Sequence, residues 1–143
     1  MDLKKVDTYK KTLSIKKGVY LVGKIKKNIY KCITEDIITD EVIITDIQIK
    51  HIREKHLDAY EKIEENISNV IYNPDYILKD KHKNTGLIVK KIEFKKRYLQ
   101  VVLKIATSEE KVHYKNSIIS CWSISERRLQ NYLRNKEILY KRE

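Results

Sequence analysis

A chain of 143 residues that is 41% hydrophobic, with only 3 Gly and 1 Pro, can bury one core and excludes a linker, a collagen-like repeat or a disordered segment. Its 31 Lys and Arg against 20 Asp and Glu leave a net charge of +11, which points to polyanions as partners. No run of about 18 apolar residues, and no apolar stretch behind the start MDLKKVDTYKK, offers a membrane span or a secretory signal.

The expected setting is therefore the reducing cytoplasm, with no membrane partner. Cys32 and Cys121 fit it, because they lie far apart inside apolar runs without CxxC or CxH spacing. They read as free thiols rather than a disulfide or a zinc site.

In chain order, Val19 to Ile25 and Asn28 to Thr34 read as two short strands around Lys26-Lys27 and predict a hairpin. A third strand is expected at Glu41 to Ile44. Thr45, with Gln48 three residues on, then matches a capping box and opens a helix. Ile49, Ile52, His56, Ala59, Ile63, Ile67 and Val70 recur at three- and four-residue steps up to Asn73-Pro74, which predicts one long helix over 45–72 with a single apolar stripe.

After Pro74 the period becomes that of strands, at Tyr76 to Lys79, Leu87 to Phe94, Tyr98 to Ile105 and Ser117 to Ile124. Their short connections favour antiparallel pairing. Ser125 offers a cap for a last helix through Arg128, Leu129, Tyr132 and Leu133. The expected architecture is α+β in one domain, 1–143. A long helix packs on a four-stranded antiparallel sheet, a β-hairpin extension occupies 1–41, and a carboxy-terminal helix closes the core of 42–143.

Charge is unevenly spread. Residues 79–104 hold nine Lys and Arg against Asp80 and Glu93, whereas 32–46 hold Glu35, Asp36, Asp40, Glu41 and Asp46 and no base. Each lysine taken singly also fits a plain solvated strand face.

Two groups of polar residues can carry chemistry. His56 falls within the helical stripe, where a buried imidazole needs a partner or a cleft; a satisfied core histidine fits it too. His51 lies about 140° around the helix from His56, so the pair lacks the i,i+4 placement for chelation and a metal site is not expected. The second group is Tyr114-Lys115-Asn116-Ser117, leading into IISCWSIS. If the third and fourth of the later strands pair, Lys104 approaches Ser117, and Lys, Asn and Ser donors converge where a phosphate could sit. The plainer reading makes Lys115-Asn116 a turn and Trp122 core. No Walker loop, GxSxG, HExxH or kinase signature is present.

From the paired histidines of IKHIREKH, through NPDYIL, to LQVVLKI and YKNSIISCW, the sequence resembles phage-associated nuclease-like domains of the barnase, EndoU, colicin and RelE ribonuclease superfamily. The likeness spans roughly residues 42–140. It implies a helix packed on a four-stranded antiparallel sheet, RNA cleavage without metal or other cofactor, and association with phages or mobile elements, sometimes as toxins. Such an enzyme needs a base for the 2′-hydroxyl, an acid for the leaving 5′-oxygen and cations for the phosphate. His51 and His56 are the candidate base and acid, in either order. Lys104 and Lys115 would hold the phosphate with Ser117 and Asn116, Tyr114 or Trp122 would stack a base, and Arg53 and Arg127 would add substrate contacts. RNA is the expected partner, with an inhibitor or antitoxin protein as a second. Two rival readings share these residues: a basic module that binds nucleic acid without cutting it, and a protein-binding scaffold acting through the acidic 32–46 edge.

Overall fold

The computed structural model describes residues 18–55, 66–92, 96–111 and 113–143. Its elements are β1 (Val19–Lys24), α1 (Lys27–Tyr30), β2 (Glu41–Thr45), α2 (Asp46–Lys55), α3 (66–72), β3 (Tyr76–Lys79), β4 (Thr85–Ile92), β5 (Arg97–Lys104), β6 (Asn116–Ser125), α4 (Glu126–Asn135) and β7 (Ile138–Lys141). The strands form a single seven-stranded sheet in the order β1-β2-β6-β5-β4-β3-β7.

This corrects the expected architecture of a long helix on a four-stranded antiparallel sheet. The sheet is mixed, because β2 joins β6 in parallel through Val42↔Asn116 and Ile43↔Ser117 while the other neighbours pair antiparallel. The amino-terminal hairpin extension does not form either. β1 pairs with β2 inside the sheet, and the second expected strand is replaced around α1. Tyr30 is fully buried and its hydroxyl donates to the Ile71 carbonyl at 2.7 Å, while the Lys26 ammonium donates to Asn73 Oδ1 at 2.6 Å. These contacts dock 26–30 on the end of α3, and tertiary packing outweighs the strand propensity of an apolar run.

The helix start was legible. Gln48 and Thr45 exchange capping bonds, each backbone N–H donating to the other's side-chain oxygen at 3.3 Å. Ile49, Ile52, Ile67 and Val70 of the stripe are buried, whereas His56, Ala59 and Ile63 lie outside the described residues. The Ser125 cap also forms, accepting from the Arg128 N–H at 3.1 Å.

Both faces of the sheet are covered. Leu99, Val101 and Leu103 of β5 join Ile44, Ile118, Cys121, Ile88 and Ile77 under Ile49 and Ile52 of α2 and Ile67 and Ile71 of α3. Leu78, Leu87, Val89 and Ile124 pack on the second face beneath Leu129 of α4. Central strands buried on both sides read as continuous apolar runs, which accounts for LIV in β4 and VVL in β5. Gly86 marks a close approach: a Cβ there would stand 2.6 Å from Ile33 Cδ1, so the chain after α1 lies directly on β4. Cys32 and Cys121 are unbridged.

Candidate active site at the strand ends

Lys104 closes β5 immediately after Leu103, which faces α2 and α3, so the pleat turns Lys104 to the second face. There it stands opposite Thr85 of β4 and Ser117 of β6. Residues directly opposite on paired strands share a face, and the row continues through Ile43 of β2 to Leu21 of β1. The expected adjacency of Lys104 and Ser117 is thus present in the register.

The cations here are held by carboxylates. Lys115 Nζ lies 2.6 Å from Glu41 Oε1, Lys104 Nζ lies 3.7 Å from Glu110 Oε1, and Lys83 Nζ lies 3.5 Å from Glu109 Oε2. The Lys83–Glu109 pair is exposed and adds little stability, whereas Lys115–Glu41 is part-buried; the common effect is to fix where the ammonium groups stand. The Ile105 N–H donates to the Asn84 carbonyl at 2.8 Å, tying the β3–β4 and β5–β6 connections together beside the row.

The other expected site residues are placed differently. Asn116 is fully buried; its Oδ1 accepts from the Ala106 N–H at 2.9 Å and its Nδ2 donates to the Thr39 carbonyl at 2.8 Å. Its amide clamps the segment entering β2 to the loop after β5. Tyr114 is half exposed beside Lys115. Trp122 stands opposite Gln100 and packs against both apolar clusters. His51 and Arg53 are exposed on α2, which covers the first face, so the sheet separates them from Lys104 and Ser117. His56 lies outside the described residues. Arg127 is exposed on α4, over the second face.

Two histidines that the sequence reading passed over sit at this end of the sheet. His82 lies in the β3–β4 connection, three residues before Thr85. Its Nδ1 is 2.9 Å from Asp80 Oδ2, which also accepts the His82 N–H at 2.9 Å. A carboxylate on Nδ1 favours the tautomer that presents Nε2 as an acceptor, and His82 lines a pocket of about 410 Å³ with Lys81, Lys83 and Thr85 and with Cys32, Ile33 and Leu139, which pack against the first-face cluster. His113, exposed and with φ at 75°, stands two residues before Lys115. The Asp-x-His spacing at 80–82 was the available signal, hidden in a lysine-rich run. Burial pushes the Cys32 thiol of the same pocket up from its ordinary value.

Among the described residues no cluster of three or more His, Cys, Asp or Glu is placed to hold a metal ion, and no helix is long and apolar enough to cross a membrane. Residues 20–141 match the family model described as phage-Barnase-EndoU-ColicinE5/D-RelE like nuclease2. The match begins at β1 and takes in every strand. No curated protein and no solved structure matches significantly.

Proposed function

The chain belongs to this family of phage-associated nuclease-like domains, and from that premise we propose that it is an endoribonuclease that cuts RNA through the substrate's own 2′-hydroxyl, without a resident metal. The observation that carries the reading is the Thr85–Lys104–Ser117 row, with Lys115 held by Glu41 two residues before Ser117 and with His82 and His113 in the connections that lead into β4 and β6.

In this mechanism Lys104 and Lys115 face the scissile phosphate and the Ser117 hydroxyl donates to a non-bridging oxygen. Donors fixed before the reaction lower the barrier as charge builds on the phosphate. One imidazole takes the 2′-hydroxyl proton, the 2′-oxygen attacks phosphorus, and the 5′-oxygen leaves with a proton from the second imidazole. His82, oriented by Asp80, and His113 fill these roles in either order, taking the place first expected for His51 and His56. The products are a 2′,3′-cyclic phosphate and a 5′-hydroxyl.

A second reading, binding without cleavage, draws on one observation: Lys83, Lys104 and Lys115 are each engaged by a glutamate, which competes with phosphate. Incubation of the purified protein with end-labelled RNA in excess chelator decides between them. The cleavage reading expects cyclic-phosphate ends; intact RNA in a protein–RNA complex selects the binding module. We further assign the activity to the cytoplasm, as an effector of a phage or mobile element restrained by a partner inhibitor. Growth arrest on expressing the parent but not Lys104→Met is the expected sign.

A further inference from the structure

α4 runs over the second face of the sheet, the face that carries Lys104 and Ser117, with Leu129 packed on Ile124 and Val89. Its outer side presents Arg127, Asn131 and Arg134 at four- and three-residue steps, one stripe of a helix. With Ser125, Arg128 and Tyr132 they line a hollow of about 540 Å³. Among the described residues Arg127 and Arg134 have neither a hydrogen-bond nor an ion-pair partner. Arg128 donates to the Tyr132 hydroxyl at 3.3 Å, and the Arg128 and Lys136 cations stand 5.6 and 5.3 Å from the Tyr132 ring centroid. The nearest acid in the sequence, Glu126, is turned to Gln130 Nε2 at 3.2 Å and to Tyr98. A concave site with unpartnered guanidinium groups and no facing carboxylate is built for an oxyanion, and the planar fork of Arg suits phosphate.

We propose that this hollow is a second phosphate subsite, which grips the RNA strand several nucleotides away from the scissile bond. The inference rests on the RNA reading above. β6 connects the two places: from Ser117 to Ser125 at the α4 cap the strand advances about 25 Å, too far for one dinucleotide. Trp122 lies between them on the same strand. A longer substrate therefore engages both sites, and a dinucleotide only the first.

The test compares the parent with the Arg128→Gln, Arg134→Gln double variant, whose side chains line the hollow and are exposed, so that an unchanged melting temperature is expected. With a single-stranded RNA of roughly twelve nucleotides, the variant raises KM about tenfold and leaves kcat unchanged; with a dinucleotide both constants stay at the parent's values. Binding of a 2′-O-methyl oligonucleotide of the same length, which cannot be cleaved, loses about 1.4 from the slope of log K against log salt when two phosphate contacts go. Equal KM and equal salt slope in parent and variant overturn the subsite. A parent that cleaves nothing overturns the nuclease reading, and the 2′-O-methyl salt slope still decides the subsite by itself.

Discussion

Two cationic regions share one face of the sheet and keep opposite company. At the strand ends Lys104, Lys115 and Lys83 each stand against a glutamate; on α4 Arg127 and Arg134 stand against none among the described residues. A cation paired before substrate arrives is fixed in position but half neutralised, so it contributes little to capture and much to stabilising a charge that forms at one point. An unpaired arginine contributes to capture wherever a phosphate passes. On the proposed reading the first region cleaves and the second grips, and each assignment can be broken separately.

The largest expected effect is on turnover. Lys104→Met should slow RNA cleavage by about a hundredfold while RNA affinity changes much less, measured by single-turnover assays beside a binding isotherm. Equal losses in rate and affinity would erase the contrast between the regions. Asn116→Ala should act through the fold: it strips partners from the buried Ala106 N–H and Thr39 carbonyl, costing about 1–3 kcal/mol in denaturant unfolding. A variant as stable as the parent would show that the clamp does not hold the Lys115–Ser117 segment.

A smaller effect is expected when the restraining carboxylate is removed. Glu110→Gln frees Lys104, so RNA should bind about two- to fivefold more tightly at low salt, and cleavage should not improve in step. The smallest effect concerns the anchoring of α4. Burial, followed by the hydrogen bond to Glu126, pushes the Tyr98 phenol up to about 12 from its ordinary value near 10. Between those values the folded chain keeps a proton that the unfolded chain has lost, so this group makes stability fall as pH rises through the window. Tyr98→Phe should flatten that fall in melting curves taken across it; a parallel fall in both proteins would show that the phenol is not the group responsible.

What the sequence disclosed was local. The capping box at Thr45 and Gln48 and the Ser125 cap are set within a few residues, and each is found as read. The Lys104–Ser117 adjacency needed only one connection between consecutive strands. What stayed hidden depends on distant partners. α1 exists where a strand was expected because Tyr30 reaches Ile71. β7 is four residues long and is defined by its pairing with β3, Ile77↔Tyr140 among others. The Asp80–His82 pair is local, but that its loop leads into the strand whose Thr85 stands opposite Lys104 follows from the β4–β5 register. The His51–His56 spacing was likewise visible in the sequence, and the face of the sheet that the helix of His51 covers was not.

The parallel seam between β2 and β6 fixes when, during synthesis, the complete sheet comes into being. Val42 waits for Asn116, so β1 and β2, although made early, can join the sheet only after most of the chain has left the ribosome. The same strand brings Ser117 to Lys104. Closing so long a loop is entropically slow and comes late in folding, and chains that end before β6 carry neither the seam nor the site. Unfinished copies therefore lack the Lys104–Ser117 pair as well as the seam, and a ligand that captured β2 before β6 docked would leave the sheet open at Val42 and Ile43 without touching either residue.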